Sequence, residues 1–327
     1  MNGPVAFLFP GQGSQKVGMG KALYDFSPDA RAVFDEADAA LGFSLSRLCF
    51  EGPEADLTLT AHTQPAVLTN SIAALRVVLK ETGWRPGIVA GHSLGEYSAL
   101  VAAGALRFAD GVRLVHLRGK LMQDAVPAGV GAMAAILGLG RADVQAACAE
   151  VVAAMPGMVV SAANLNGGGQ VVIAGHKAAV ERAGEVCRAR GAKRAIALGV
   201  SAPFHCALMA PAADRLASEL ASVDIAAPQM PVITNVEAAP NRDPARVRRL
   251  LIEQVTAPVR WEESVERMAG MEVTRALEVG SGSVLASLVK RIAPSITVRA
   301  AGEPDDIRAL GAAGAERPPS PTRGDRP

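Results

Sequence analysis

Apolar positions along the chain fall into two spacings, and the alternation between them outlines the fold. "PVAFLF" (residues 4–9) is a short unbroken apolar run closed by "PGQG", which predicts a buried strand running into a tight loop. Apolar residues then recur at helical spacing over 30–41 and 64–81. A second short run at 88–90 predicts another buried strand, followed by a loop and an apolar helix over 94–103. Residues 110–125 read as a further helix, carrying Arg113, His116, Arg118 and Lys120.

The pattern changes near Gly129. A strand is expected at 131–139 and a helix at 141–154. The strands "MVVSAAN" and "QVVIAG" follow, separated by the turn-like "LNGGG". A helix at 177–190 and a strand in "AKRAIALGV" complete the series. Strand, helix, strand, strand, helix, strand is the order of a split βαβ unit, the ferredoxin-like motif. Beyond it come helices at 209–222, 244–254 and 262–269, a strand at 274–280, and a loop leading into a helix in "SGSVLASLVKRI". From residue 311 the chain is rich in Pro, Gly, Ala and Arg without apolar periodicity, and a disordered tail is expected over 311–327.

Composition narrows the class. With 327 residues, 50% of them hydrophobic, the chain can bury one large domain and a smaller companion. The 33 basic and 32 acidic residues nearly cancel, which gives no electrostatic reason to expect nucleic acid or an anionic membrane. The four cysteines lack metal-ligand spacing, so no metal is expected and a reducing compartment is. No uncharged apolar run reaches the ~18 residues of a membrane span, and "VAFLFPG" is too short for a signal segment. A soluble, cytoplasmic protein is expected.

The chemistry begins at "GHSLG" (residues 91–95), which fits G-x-S-x-G between a predicted strand and a predicted helix. Ser93 would sit on a sharp turn with Gly91 and Gly95 keeping bulk away, and the amide of Leu94 at the helix start could stabilise an oxyanion. The expected fold is therefore α/β. A large α/β-hydrolase-like domain with a short parallel sheet spans 1–128 and 201–310, and a small ferredoxin-like domain is inserted at 129–200. The serine needs a base. His92 adjoins it, but a tight turn directs its side chain elsewhere. His116 lies mid-helix, and His62 and His176 flank helices. His205, in "SAPFHCALM", lies in a loop at an element boundary and is the leading candidate. No acidic residue between Ser93 and His205 falls in a strand-end loop of the large domain, where a triad acid belongs. A Ser–His pair oriented by a backbone carbonyl is the chemical alternative.

At this point the sequence resembles a known family. "FPGQGSQKVGMG", "GHSLGEYSAL", "RGKLMQ" and "APFHCALM", extended by "QVTAPVRW" and "LEVGSGSVL", are similar to the malonyl-CoA:acyl carrier protein transacylases and their relatives, the acyltransferase domains of polyketide and fatty-acid synthases. The resemblance spans roughly residues 4–300. It implies Ser93 as the acyl-carrying nucleophile and His205 as its base. It implies backbone amides of Gln12 and Leu94 as the oxyanion hole, Arg118 as the clamp for the substrate carboxylate, and the Gln254 backbone carbonyl as the group orienting His205. Met122, Asn166 and Phe204 would line the pocket, with Asn164 a weaker choice. Phe204 fits malonyl, its ring filling the space an α-methyl group would need. The Gly280–Gly282 "GSG" departs from the more usual Gly-Pro-Gly and implies a looser loop.

For Arg118 a physical reason stands beside the resemblance: a guanidinium presents two parallel donors to a carboxylate. Lys120, Asp124 and Arg113 nearby keep an ordinary ion-pair role open. The implied cycle is ping-pong with no bound cofactor. Its partners are malonyl-CoA and a phosphopantetheinylated acyl carrier protein, and a monomer is expected. Because carrier proteins are acidic, a basic rim is expected, with Arg190, Lys193 and Arg194 as candidates. The alternatives are a thioesterase or carboxylesterase on the same Ser–His pair, a transacylase of different acyl choice, and a non-catalytic scaffold or subunit that binds the carrier protein.

Overall fold

Ten strands, numbered in chain order, divide between two sheets among the residues that the computed structural model describes, 3–200 and 202–314. They are β1 Val5–Phe9, β2 Ile88–Gly91, β3 Gly131–Leu137, β4 Val160–Gly167, β5 Gln170–His176, β6 Arg194–Ala197, β7 Val232–Ile233, β8 Pro240–Asn241, β9 Arg275–Glu278 and β10 Thr297–Ala300. The larger sheet has the order β10–β9–β1–β2–β7–β8. It is parallel except for the last pair, because β7 and β8 are antiparallel.

The central strands are apolar throughout because both faces of the sheet are covered. Phe7, Phe9 and Val89 enter one core, while Ala6, Leu8, Ile88 and Ala90 enter another on the opposite face. Helix Thr60–Glu81 lies inside the first core and is buried on nearly every side. This explains its weak polar face, since a helix hydrophobic all round belongs in an interior.

The smaller sheet has the order β4–β5–β3–β6 and is antiparallel throughout, the ferredoxin-like arrangement. Strand alternation gives it two different faces. Ala134, Ile136, Val171 and Ile173 pack with helices Arg141–Ala154 and Lys177–Ala189. Met133, Ala135, Val172 and Ala174 instead join the core of the larger unit. The small sheet therefore covers the C-terminal ends of β1 and β2, where α/β sheets bind ligands.

Several expected boundaries move. β4 runs to Gly167, so the turn before β5 shortens to Gly168 and Gly169, both at positive φ. β6 is shorter than expected, ending at Ala197. Helix Pro304–Gly314 continues through residues 311–314, where a tail was expected. Ile307 and Leu310, just before this stretch, are buried and anchor the helix that runs on into it. The rest of the expected tail, 315–327, lies outside the described residues. No described helix is long and apolar enough to cross a membrane.

Candidate active site

Ser93 sits between the end of β2 and helix Leu94–Ala102 at φ 51° and ψ −106°. Such a backbone costs a non-glycine residue about 1–3 kcal/mol, so the surroundings must hold it. Asn235 does so. Its Oδ1 accepts from the Ser93 amide at 2.7 Å, and its Nδ2 donates to the Gly91 carbonyl at 2.7 Å. Close approach accounts for the two glycines. A Cβ on Gly91 would lie 1.9 Å from the Gly95 carbonyl oxygen, and one on Gly95 would lie 2.1 Å from that of Phe9.

Residues 93–96 also spell S-x-x-E, the capping box. Neither half caps here. The Ser93 side chain makes no cap hydrogen bond and its Oγ lies 2.7 Å from His205 Nε2. Glu96 turns inward, accepting from the Asn235 amide at 2.9 Å and from Gln254 Nε2 at 2.7 Å.

His205 is buried and also lies at positive φ, 60°. Its Nδ1 is 2.8 Å from the Gln254 carbonyl oxygen, which can only accept. That partner assigns the proton to Nδ1 and leaves Nε2 free to accept from Ser93 Oγ. Burial, with the Arg118 charge next, pulls the imidazole down to about 3, so it is neutral at physiological pH. The carbonyl of Gln254 occupies the position a triad acid would take.

Arg118 comes from helix Phe108–Asp124, which is fixed tightly against helix Thr60–Glu81. Pro65 has no amide hydrogen to donate to the Ala61 carbonyl, four residues before it. His116 Nδ1 takes that oxygen at 2.7 Å. One turn away, a Cβ on Gly119 would lie 2.5 Å from the Thr60 carbonyl oxygen, so only glycine allows the helices this approach.

The packing leaves Arg118 1% exposed. Its Nη1 donates to Gln64 Oε1 at 2.7 Å, and its Nη2 to Gln254 Oε1 at 2.9 Å and Ser93 Oγ at 3.2 Å. Its Nε has no partner among the described residues, and its guanidinium lies 5.3 Å from the centre of the Tyr97 ring. The partners are neutral, so the expected alternative of an ion pair with Asp124 is not what the fold makes. Burial lowers the guanidinium's affinity for its proton and raises Glu96 to about 7, while the Asn235 amide, Gln254 and Arg118 pull the carboxyl back down.

A cavity of about 120 Å³ lies over these groups, lined by Ser93, His205, Arg118, Met122 and Phe204, with Gln12 and Leu94 at its edge. It opens to a wider one of about 470 Å³ that shares Gln12, His92 and Asn164 and reaches Arg291. Asn166 faces only this outer cavity, where its Oδ1 lies 2.8 Å from His92 Nε2. Asn164, the weaker choice from sequence, lines both. The register of β4 against β5 shifts between Ala162 and Asn164 and again between Leu165 and Gly167, so the strand is irregular where it carries the two asparagines.

The His92 ring bonds Asn166 rather than Ser93, although it lines both cavities. His62 Nδ1 meets the Asp56 carbonyl oxygen, and His176 Nδ1 accepts from the Val159 amide. Of the expected basic rim, Arg190 pairs with Glu150 and none of Arg190, Lys193 and Arg194 lines either cavity. Arg291 does instead, donating to Gln170 Oε1 at 3.0 Å. Gln64, Glu96, Asn235 and Arg291 are the site residues that sequence reasoning missed.

Comparison with known proteins gives the family of the chain. The family model described as "Acyl transferase domain" matches residues 6–310. Over 304 residues the chain is 53% identical to the malonyl CoA-acyl carrier protein transacylase of Escherichia coli strain K12 and 52% identical to that of Salmonella typhimurium, covering 93% of this chain and 97% of each relative. Among solved structures, a malonyl-transacylase in complex with a type II PKS acyl-carrier protein superposes with a TM-score of 0.92 at 46% identity, over 95% of this chain and 99% of that one. An acyl carrier protein S-malonyltransferase from Vibrio cholerae gives 0.91 at 48% identity, over 94% and 99%. The chain belongs to the acyl transferase family, among the malonyl CoA-acyl carrier protein transacylases.

Proposed function

We propose that the chain transfers a malonyl group from malonyl-CoA to the phosphopantetheine thiol of an acyl carrier protein, through a malonyl ester on Ser93. Ser93 Oγ attacks the thioester carbonyl while its proton passes to His205 Nε2. The oxyanion is held by the amides of Gln12 and Leu94. The C–S bond breaks, and the CoA sulfur leaves with the proton from His205. The carrier thiol then enters, gives its proton to His205 and attacks the ester. Ser93 leaves and regains the proton.

The observation that carries this reading is Arg118, a buried guanidinium 3.2 Å from Ser93 Oγ whose hydrogen-bond partners are all neutral. A buried charge that makes no ion pair among the described residues fits a site whose substrate brings the carboxylate. Met122 and Phe204 bound the acyl pocket, and Asn164 and Asn166 lie along the wider cavity towards the surface. The Gln254 carbonyl holds the His205 tautomer. In the same reading, residues 1–128 and 201–310 form the catalytic domain and 129–200 the inserted one, and the protein acts as a cytoplasmic monomer.

Intact-mass measurement after mixing with malonyl-CoA tests the covalent step. A gain of about 86 Da on the wild-type chain, absent in Ser93→Ala and discharged by a pantetheine thiol, is expected. No gain, or release to water at the same rate with and without a thiol acceptor, overturns transfer.

A further inference from the structure

Glu96 is 2% exposed, and the proton transfers proposed above make no use of it. Both donors that reach it are neutral, the Asn235 amide and Gln254 Nε2. What it touches is consequential, because Gln254 serves two parts of the site. Its backbone oxygen meets His205 Nδ1, and its side-chain Oε1 accepts from Arg118 Nη2.

A carboxamide has nearly the same shape with its oxygen and nitrogen exchanged, so only its partners decide which way it faces. Gln254 Nε2 faces three acceptors: Glu96 Oε2 at 2.7 Å, the Ser93 carbonyl oxygen at 3.2 Å and Asn235 Oδ1 at 3.3 Å. Glu96 supplies the shortest of these contacts and the sole carboxyl group among the three, and once it is ionised, above about pH 7, that hydrogen bond is about twice as strong as a neutral one. With Nε2 drawn to Glu96, Oε1 must face Arg118. The reversed amide would place an N–H group against the guanidinium. Arg118 would then lose an acceptor in a buried position, where an unmatched charge is costly.

Resting on the transfer reaction proposed above, we propose that Glu96 is a positioning residue for substrate selection. Its carboxylate fixes the orientation of the Gln254 side-chain amide and thereby holds Arg118 where the acyl carboxylate binds. It acts through Gln254 and touches neither substrate nor Ser93 Oγ. A donor whose acyl group has no carboxylate does not depend on it.

The test compares two acyl donors, malonyl-CoA and p-nitrophenyl acetate, on wild type, Glu96→Gln, Gln254→Met and the double variant. Gln254→Met keeps the backbone carbonyl that orients His205 and removes only the amide. Assayed above pH 7, where Glu96 is ionised, Glu96→Gln should raise KM for malonyl-CoA about five- to tenfold, the ratio between a charged and a neutral hydrogen bond, with kcat changed less than about threefold. Acylation by p-nitrophenyl acetate should stay within about twofold of wild type. Gln254→Met should raise the malonyl-CoA KM at least as much, and the double variant should add nothing further, because both changes act on one chain of contacts.

Equal losses on both donors would overturn the proposal, since a general structural role predicts them. An unchanged KM, additive effects in the double variant, or a Glu96→Gln chain that no longer folds would do the same. Wild-type protein that reacts with p-nitrophenyl acetate yet takes no malonyl adduct would instead overturn the transfer reading, and this proposal with it.

Discussion

Replacing Arg118 by methionine removes the charge at nearly constant side-chain length and separates two tasks of the site. With 1% of its surface exposed, the guanidinium meets an incoming carboxylate away from water, where truncating one member of a hydrogen-bonded charge pair costs about 2–5 kcal/mol. Gln64, Gln254 and Ser93 already share its two terminal nitrogens, so not every donor is available to substrate. A value near the lower middle of that range, about 3 kcal/mol, is expected, on the order of 100-fold in kcat/KM for malonyl-CoA. Acetyl-CoA has no carboxylate to lose. Its kcat/KM should change by less than about tenfold, since the acetyl group gives the guanidinium no charge to pair. The assay is acyl-enzyme formation from each donor by rapid quench and intact mass. If malonyl and acetyl transfer fall by the same factor, Arg118 supports the fold of the site and does not select its substrate.

Four further outcomes follow from the same contacts. His205 holds a proton far less readily than in the unfolded chain, with about 3 against an ordinary 6.5, so its contribution to stability is full above 6.5 and is lost as pH falls toward 3; urea melts of wild type against His205→Gln across that window should show it. Glu96 is shifted the other way, from 4.5 to about 7, so the folded chain retains a proton that the unfolded chain releases; the stability of Glu96→Gln relative to wild type should therefore rise as pH increases from 4.5 to 7 and then level off. The Glu278 carboxylate accepts from the amides of Leu285 and Ala286 at the start of helix Val284–Ile292, and Glu278→Ala should cost about 1–2 kcal/mol in a denaturant melt while Ser93 acylation persists. Phe204→Ser should open the acyl pocket and raise the ratio of methylmalonyl to malonyl transfer measured in direct competition, whereas an unchanged ratio would remove the ring from the selection of the acyl group.

Much of this site is legible because its parts are local in sequence. The strand, turn and helix around Ser93 follow from an apolar run, two glycines and a helical repeat, and helix Arg141–Ala154 was predicted end to end. What was not legible depends on distant residues. S-x-x-E predicts a capped helix at 93–96, and nothing local shows that Asn235, 142 residues from Ser93, takes over the amide and turns Glu96 inward. The two-residue strands β7 and β8 are too short to give a period, yet β7 leads directly to Asn235. The basic residues Arg190, Lys193 and Arg194 line neither cavity, because a cluster of charges between a helix and a strand says nothing about which face meets the cavity, and Arg190 pairs with Glu150.

The absent triad acid follows from the nature of the proposed substrate. In a Ser–His–acid site the third carboxylate orients the imidazole and stabilises the imidazolium that forms. Here the group beside His205 Nδ1 belongs to Gln254, the same residue whose side chain contacts Arg118 at 2.9 Å. A carboxylate placed there would lie close enough to pair with that guanidinium and would compete with the acyl carboxylate for it. A carbonyl holds the tautomer without carrying a charge, so Arg118 stays unpaired for substrate. The cost falls on the base, since the Arg118 charge is the second cause of the low His205 value, after burial. In the proposed reading, a malonyl carboxylate bound at Arg118 would offset that charge and lessen its repulsion of the imidazolium, which would strengthen His205 as a base when Ser93 loses its proton. A donor without a carboxylate leaves the repulsion in place. In that reading, selection for malonyl would act on the chemical step as well as on binding, through one buried arginine that makes no ion pair among the described residues.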